Sequence, residues 1–309
     1  MNPLLMSVVV PVHNRHDLLL KLLGDLNRQE DASFEVVVVD DGSTDGLTEA
    51  LGRVSFKFPL VLKRHEQCRG VGAARNTGVI ASHGGIIVFI DSDSGIEGAT
   101  CLAEHRRIHE CGADLPESDG GIVLHSTVCG VHHGYWGNVD GYSNWFCSCF
   151  KSRRRIYDHH VPMNNTSVSR RVFDKVGMFD ETLKVCEDAE WCFRCLELGV
   201  PLLFVPGIPV THQDRSTFRT MWNHYEMIGR YAHLVRLRRP ARPYHQLFAR
   251  GKVGVSLLFL PLAAAITTYI VVRWFTVSPV VLFYAPGIFV SNVAYCAGML
   301  RQTWRPETV

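Results

Sequence analysis

Short apolar runs alternate with amphipathic stretches along the first hundred residues of the chain. The apolar runs consist mainly of Val, Ile and Leu, whereas the stretches between them carry leucines or small residues at helical spacing. Strands that are apolar on both faces are typical of a parallel sheet covered by helices on both sides. The pattern predicts strands at 7–12, 35–40, 60–63 and 86–90, and helices at 18–26 and 71–82.

The chain beyond residue 100 is less regular. Residues 114–162 are rich in Gly, His and aromatic side chains, and they follow no clear period. Helical spacing returns at 170–176 and at 187–198. We therefore expect an α/β fold with a mostly parallel sheet and flanking helices, in which ligands bind at the carboxyl ends of the strands.

Two long apolar stretches lie near the C-terminus. Residues 253–272 give 20 consecutive residues without a charge, and residues 274–300 give another 27, with Arg273 between them. A helix needs about 20 apolar residues to cross a bilayer, so the pattern predicts a transmembrane hairpin of two helices. A pair of helices buried inside a soluble domain is the alternative.

Charge is distributed unevenly along the chain. Residues 1–214 contain 20 Lys and Arg against 28 Asp and Glu, whereas residues 215–252 contain nine against one. An acidic body followed by a basic segment and an apolar tail is typical of a protein on an anionic membrane surface. Nucleic acid is a less suitable partner for the basic segment, because the apolar tail adjoins it.

The basic segment also has a helical pattern. Aromatic and aliphatic residues recur every three or four positions from Phe218 to Val235, which predicts an amphipathic helix at the membrane interface. Packing of this helix against the catalytic core is the alternative. The predicted organisation is a catalytic domain at 1–215, a juxtamembrane segment at 216–252, two transmembrane helices at 253–300 and a tail at 301–309.

Positive charge flanks the two predicted spans and predicts their orientation. Lys and Arg are concentrated before the first span and after the second, so both termini and the catalytic domain are expected in the cytosol. The N-terminal residues lack the basic leader and cleavage site of a secretory signal. The ten cysteines are then expected to be reduced thiols. Cys192 and Cys195 form a CxxC pair, and a second Cys/His group lies at 129–149; small buried residues are the simpler interpretation and a zinc site is the alternative.

Carboxylates follow two of the predicted strands. Residues 36–46, VVVVDDGSTDG, end a strand with two aspartates and a Gly-Ser turn, and Asp91-Ser92-Asp93 follows a later strand. Carboxylates in such positions accept hydrogen bonds from a uracil-type base or from ribose. Two of them separated by one residue can hold a hard divalent cation. A turn rich in Asp and Ser is the alternative for either motif.

A glycine-rich segment lies between these two motifs. Residues 69–78 read RGVGAARNTG, and their GxG follows the third predicted strand rather than the first. This position argues against the dinucleotide-binding fingerprint of a Rossmann domain. Arg69 and Arg75 are instead suited to contact the phosphates of a donor.

Together these motifs resemble glycosyltransferase family 2. PVHN at 11–14, the DDGSTDG and RGVGAARN segments, and DSDS at 91–94 occur in the order and at the spacing of that family, and the resemblance continues through 165–191. It covers roughly residues 6–215, about two-thirds of the chain. The resemblance implies the A-type glycosyltransferase fold, here in a membrane-anchored member.

The resemblance implies roles for individual residues. Asp41 would contact the nucleoside, Asp91 the ribose, and Asp93 a Mg²⁺ or Mn²⁺ ion. His212 would be a further metal or diphosphate ligand, with a plain surface histidine as the alternative. The remaining residues of the expected donor site are Pro11, Asn14, Arg69 and Arg75.

Asp188 is the expected catalytic base, by resemblance and by chemistry. Transfer of a sugar to a hydroxyl group needs a base for the acceptor's proton and a Lewis acid for the departing diphosphate. Asp188 begins a predicted helix in which Glu190 and Arg194 are spaced i,i+4 and brace it. An acidic first helical turn, favoured by the helix dipole, is the alternative.

The sequence thus predicts an inverting transferase that moves a sugar from a UDP- or dTDP-type sugar nucleotide to a hydroxyl of a lipid-linked or saccharide acceptor at the membrane. Inversion is implied by the resemblance alone. The Gln-x-x-Arg-Trp motif of processive synthases is absent, which favours transfer of one or few sugars, as in polysaccharide or glycolipid synthesis for the cell envelope. A polyprenyl-phosphate sugar transferase and a non-catalytic membrane scaffold are the alternatives.

Overall fold

The computed structural model describes residues 6–30, 33–111, 121–131, 133–146, 148, 153–239 and 251–306. The chain divides into two compact units. The first unit contains residues 1–129 and 148–212, and the second contains residues 130–147 and 213–309. The insertion of 130–147 into the second unit has no counterpart in the linear domain order predicted from the sequence.

The described strands are β1 (Met6–Val12), β2 (Phe34–Asp40), β3 (Leu60–Arg64), β4 (Ile86–Phe89), β5 (Ser94–Ile96), β6 (Val123–His125), β7 (Val128–Val131), β8 (Arg155–Tyr157), β9 (Thr166–Ser169), β10 (Leu202–Phe204) and β11 (Val210–Gln213). The described helices are α1 (His16–Asn27), α2 (Leu47–Leu51), α3 (Val71–Ala81), α4 (Cys101–Glu110), α5 (Gly134–Asn144), α6 (Arg170–Val176), α7 (Glu187–Glu197), α8 (Phe218–Arg238), α9 (Lys252–Phe275) and α10 (Val281–Trp304).

One mixed sheet forms the centre of the first unit, and its strand order is β3-β2-β1-β4-β9-β6-β10-β8. β1 pairs in parallel with β2 and β4, β2 with β3, and β6 with β10. β9 runs antiparallel between β4 and β6, and β8 runs antiparallel to β10. The prediction of a mostly parallel sheet with flanking helices is therefore confirmed.

Helices cover both faces of this sheet, as its apolar strands require. On one face, Val8 and Val10 of β1 pack among the leucines of α1. On the other face, Val9 packs with Ala74 of α3. A Cβ atom on Gly78 would overlap the Val9 side chain, so this glycine lets α3 lie directly on the sheet.

A short strand pair lies next to the second acidic motif. β5 pairs antiparallel with β11, and Ser94 stands opposite His212 in the register. Because β5 begins directly after Asp93, this pairing carries His212 to the acidic loop across more than a hundred residues of sequence.

The second unit is helical in its described part. α10 packs against α9, α8 and α5. Tyr142, Ile270 and Ile288 lie in one apolar cluster, and Tyr225 and Ala294 lie in another. By length and composition, α9 and α10 are able to cross a membrane. The break between them lies at 276–280 rather than at the charged residue that separated the two predicted spans.

Candidate active site

Three side chains of metal-ligand type lie together beyond the end of β4. Asp91, Asp93 and His212 each place one ligand atom within 4.8 Å of the others. The Nε2 atom of His212 lies 3.4 Å from Oδ1 of Asp93. Asp93 and His212 are buried, whereas Asp91 is partly open. The loop after β4 and the strand β11 thus form one compact cluster.

The donor set of this cluster suits a hard divalent cation. Carboxylate oxygens are the ligands that Mg²⁺ and Mn²⁺ prefer, and three protein ligands leave coordination positions for phosphate oxygens. Burial raises the pKa of Asp91, Arg75 opposes the rise, and the Asp93 carboxylate adds to it. A cation between the two carboxylates would remove their repulsion. The residues present therefore fit a divalent metal.

Two further residues contact the cluster, and sequence reasoning did not single them out. Arg15 forms an ion pair with Oδ2 of Asp93. Asn164 Oδ1 accepts hydrogen bonds from the backbone N–H of Asp91 at 3.2 Å and from the hydroxyl of Ser94 at 3.1 Å. The position of Arg15 directly after the PVHN motif was a usable signal. Asn164 carried no comparable signal in the sequence.

Asp41 follows the end of β2 and is almost fully buried. Its carboxylate accepts hydrogen bonds from His65 Nδ1 at 2.6 Å and from the backbone N–H groups of Arg69 and Gly70 at 2.9 and 2.8 Å. Burial alone would raise the pKa of Asp41, but these hydrogen bonds and one from the Cys68 thiol hold it below its ordinary value. Asp41 therefore shapes the loop after β3, and its contact with a nucleoside stays a prediction.

Asn14 connects the end of β1 to the loop after β2. It has a φ of 53°, a left-handed conformation that asparagine tolerates better than most residues. Its Oδ1 accepts a hydrogen bond from the Thr44 N–H at 2.8 Å, and its own N–H donates to the Ser43 hydroxyl at 2.9 Å. Pro11, by contrast, is buried inside β1 opposite Val39. Donor contacts by Asn14 and Pro11 stay predictions.

The two arginines of the glycine-rich segment have different surroundings. Arg69 pairs with Glu181 at the surface, at 2.7 Å. Arg75 has only 6% of its side chain exposed, and it pairs with Asp91 at 3.1 Å and with Glu187. Arg75 thus joins the metal-type cluster to the start of α7. The contact with donor phosphates that the sequence suggested for both arginines stays a prediction.

Asp188 is the second residue of α7 and is half-buried. Its Oδ1 accepts a hydrogen bond from the Ala189 N–H at 2.7 Å. The neighbouring Glu187 is buried, and burial raises its pKa to about 7, with Asp188 adding to the rise and Arg75 opposing it. The two adjacent carboxylates therefore differ in environment. Glu187 is held by Arg75, whereas Asp188 keeps part of its side chain open to solvent.

The predicted ion pair within α7 is present. Arg194 Nε lies 2.9 Å from Oε2 of Glu190. The same guanidinium donates hydrogen bonds to the backbone carbonyls of Val176 and Met178, each at 2.7 Å. These contacts attach α7 to the end of α6 and fix the direction of the helix that carries Asp188.

The CxxC cysteines belong to the core of the first unit. Cys192 and Cys195 are fully buried, and burial raises the pKa of the Cys195 thiol to about 12. Neither residue belongs to a metal-type cluster within the described part of the chain, and no disulfide joins the cysteines described there. Of the second group of the sequence, Cys147, Cys149 and His132 lie outside the described residues.

A mixed α/β sheet with an acidic metal-type cluster beyond its central strand defines the class of A-type glycosyltransferases. The mannosyltransferase PcManGT from Pyrobaculum calidifontis, solved with GDP-Man and Mn²⁺, has a similar structure, with a TM-score of 0.64 at 16% identity over 98% of this chain and 88% of that one. TarS of S. aureus, solved with UDP, gives a TM-score of 0.55 at 19% identity, covering 96% of this chain and 91% of that one. At these identities the likeness establishes the fold.

Sequence comparison shows which proteins the N-terminal part of the chain is similar to. Residues 7–102 match the model of "Glycosyl transferase family 2". The uncharacterized glycosyltransferase YfnE of Bacillus subtilis is 37% identical over 105 residues, 34% of this chain and 26% of that protein. The pre-mycofactocin glycosyltransferase of Mycobacterium tuberculosis is 25% identical over 280 residues, 82% of this chain and 52% of that protein. The chain thus spans about half or less of the length of these relatives, and residues 7–102 are similar to a glycosyltransferase family 2 domain.

Proposed function

We propose that this chain is an inverting glycosyltransferase that uses a nucleotide-diphosphate sugar and a divalent cation, with a hydroxyl group of a lipid-linked or saccharide molecule as acceptor. The observation that carries the proposal is the convergence of Asp91, Asp93 and His212, whose ligand atoms lie within 4.8 Å of one another. Arg75 supports it further, because it links this cluster to Glu187, the neighbour of the proposed base.

The donor is proposed to bind along the carboxyl ends of β1, β2 and β4. Asp41 and Asn14 order the loops at the first two of these ends, and Asp91 lies at the third. A nucleoside and its ribose would therefore meet preformed backbone rather than mobile loops. The solved structures of similar fold were obtained with GDP-Man, with UDP and with UDP-GlcNAc, so either a purine or a pyrimidine nucleotide fits the class.

Asp93, His212 and Asp91 are proposed to hold Mg²⁺ or Mn²⁺. Such an ion, when bound, stabilises the charge that develops on the departing diphosphate. Arg15, which pairs with Asp93, would share that carboxylate with the ion and move toward the diphosphate oxygens. The structure of a similar fold with UDP, GalNAc and Mn²⁺ supports a divalent metal in this class.

Asp188 is proposed as the general base. It takes the proton from the acceptor hydroxyl while the acceptor oxygen bonds to the anomeric carbon. The bond from that carbon to the diphosphate oxygen breaks, and the nucleoside diphosphate leaves with the electron pair. The half-buried position of Asp188 suits this role, because the carboxylate must reach an acceptor from solvent.

The chain is further proposed to work at the cytosolic face of the cell membrane, attached through the apolar hairpin that contains α9 and α10. These helices have mean hydropathies of 2.2 and 1.4 over their most apolar windows. Attachment would bring the active site to lipid-linked acceptors, whose sugars lie at the surface of the bilayer.

Assay of purified full-length protein against a panel of nucleotide sugars tests this function. With manganese present, we expect hydrolysis or transfer from one class of donor, and loss of that turnover in the Asp188→Asn variant. Transfer to a polyprenyl phosphate but to no hydroxyl acceptor would favour the phosphate-acceptor alternative. Donor binding without turnover on any acceptor, in wild type and variant alike, would favour the scaffold.

A further inference from the structure

The two apolar helices of the second unit differ in how much of their surface is covered. In the most apolar window of each helix, 17% of α9 is buried but 44% of α10 is buried. Large apolar side chains stand exposed along the whole of α9, among them Val253, Leu257, Tyr269 and Val272 at 72%, 72%, 56% and 64% exposure. Among the described residues, α9 therefore has an apolar face that no other segment covers, and the helix is about 36 Å long for its 24 residues.

α10 contacts α9, α8 and α5, and protein covers it from residue 287 to 300, whereas Leu282 and Phe283 in its first turn are exposed. Close to its start, Gly287 is packed so tightly that a Cβ there would overlap Val139 of α5. Toward its end, a Cβ on Gly298 would overlap the backbone carbonyl of Glu226 in α8. None of the residues from 287 to 300 is exposed. From residue 287 to 300, α10 is therefore part of the core of the second unit, and lipid has little access to this part of the helix.

The helices that enclose α10 carry charges that do not suit a hydrocarbon layer. Asp140 of α5 is fully buried and accepts a hydrogen bond from the Arg215 N–H at 2.8 Å. Glu226 of α8 pairs with Arg301 of α10 at 2.9 Å. If the hairpin crossed the bilayer, α5 or α8 would have to enter the hydrocarbon beside it. The buried carboxylate of Asp140 would be costly there, and so would the pair of Glu226 with Arg301, whose side chains are 22% and 57% exposed.

The short segments before and after α5 are further evidence against a hairpin that crosses the bilayer. Two residues lie between the end of β7 at Val131 and the start of α5 at Gly134. Three residues lie between the end of α5 at Asn144 and Ser148. Segments of this length span at most about 14 Å when fully extended, and a hydrocarbon core is about 30 Å thick. Since α5 contacts α10 near its start, that end of the hairpin cannot lie across the bilayer from residues 130–131, which precede α5 in the same unit.

We propose that the chain does not cross the membrane, and that the exposed face of α9 lies in the plane of one leaflet as a monotopic anchor. The charge pattern supports a lipid partner, because residues 227–306 contain ten Lys and Arg and no Asp or Glu. Such a segment is attracted to anionic headgroups, and an in-plane helix buries its apolar face at their boundary with the acyl chains. The proposal replaces the two spans predicted from the sequence. It rests on the membrane attachment of the proposed function but not on its chemistry.

The position of the turn between α9 and α10 tests the proposal. Thr276 is exposed in this turn, and the native Cys111 is exposed in the first unit. In sealed right-side-out vesicles that contain the Thr276→Cys variant, an impermeant maleimide should label neither residue, and permeabilisation should expose both together. Labelling is read at each residue by peptide mass, so the measurement needs no transferase activity.

Three results would overturn the proposal. Labelling of residue 276 from outside, while Cys111 stays protected, would mean that the hairpin spans the bilayer. Labelling of residue 276 only after solubilisation in detergent would place the turn inside the hydrocarbon. Recovery of the wild-type protein in the soluble fraction, without flotation on vesicles that contain anionic lipid, would mean that α9 is covered by protein, for example by a second copy of the chain.

Discussion

Arg75 and Glu187 form an ion pair in which both side chains are almost completely enclosed, at 6% and 4% exposure. The arginine comes from α3 and the glutamate from the first turn of α7, 112 residues apart in the sequence. The same guanidinium reaches Oδ1 of Asp91 at 3.1 Å. One buried cation therefore connects the proposed donor and metal site to Glu187, the neighbour of the proposed base.

Loss of this cation should destabilise the fold. The Arg75→Met change keeps most of the volume but leaves the Glu187 carboxylate buried and unpaired beside Asp91 and Asp188. Removal of one partner from a buried ion pair typically costs about 3–5 kcal/mol of unfolding free energy. Denaturant unfolding of the full-length protein in detergent measures the change.

The same substitution at an exposed ion pair is the matched control. Arg107 pairs with Glu104 on α4 at 2.8 Å, with 61% and 41% of the two side chains exposed. Exposed pairs contribute little because solvent screens them, so Arg107→Met should leave the unfolding midpoint nearly unchanged. If the two variants lost the same unfolding free energy, the buried pair would stabilise the fold no more than an exposed pair does.

Asp188→Asn tests the general base. Asparagine keeps the size of the side chain but cannot accept the acceptor's proton, and a positioned base contributes ~10²–10⁴-fold to the rate. We expect transfer to fall at least about a hundredfold, with donor affinity and thermal stability nearly unchanged. Steady-state kinetics and donor titration measure both effects.

Substitutions of the neighbouring carboxylates check that assignment. Glu190→Gln should cost less activity than Asp188→Asn, although it weakens the pair with Arg194 that holds α7. Full activity in Asp188→Asn together with loss in Glu187→Gln would mean that the base is Glu187. Unchanged activity in both variants would contradict the proposal that these carboxylates take part in catalysis.

Asp93→Ala should remove the dependence of donor binding on metal. The side chain supplies a carboxylate to the proposed cation site, and without it a nucleoside diphosphate should bind no more tightly in manganese than in chelator. Calorimetric titration with UDP and GDP measures this difference. Asp17→Ala, whose carboxylate is 82% exposed, is the control and should behave as wild type. Full transferase activity of the wild type in chelator would contradict the metal site.

Acid should weaken the first unit through His105. This residue is fully buried between Ser167 and Asn165, and burial lowers its pKa from 6.5 to about 4. Its stabilising contribution is complete above pH 6.5 and is lost as pH falls toward 4, because the unfolded chain then binds a proton that the folded chain excludes. The loss between pH 7 and pH 5 amounts to about 2 kcal/mol.

The His105→Gln variant separates this effect from other acid effects. Glutamine does not titrate in this range, so the variant should lose less of its unfolding free energy than wild type between pH 7 and pH 5. His133→Gln, at an exposed position, should show the wild-type pH dependence. Equal acid sensitivity in wild type and His105→Gln would assign the effect to other groups.

Local periodicity determined most of the secondary structure and the order of the motifs. The predicted strand at 35–40 is observed as Phe34–Asp40, and the predicted helix at 71–82 is observed as Val71–Ala81. These elements follow from the sequence because an apolar run or an apolar helical face permits only a few buried arrangements. The carboxyl ends of parallel strands share one edge, so the acidic motifs of the first hundred residues could be assigned to one site.

Contacts between distant segments decided the rest. The sequence suggested Arg75 as a phosphate ligand, which stays a prediction, and it gave no sign of the buried ion pair that Arg75 forms with Glu187. His212 reaches Asp93 through the pairing of β5 with β11, which no local pattern specifies. The apolar tail likewise contains enough apolar residues for two membrane spans. The hydropathy of a segment depends on its composition alone and gives no information on which other segments pack against it. Only tertiary packing determines which apolar surface is covered by protein, and it covers more of α10 than of α9, which keeps one apolar face exposed.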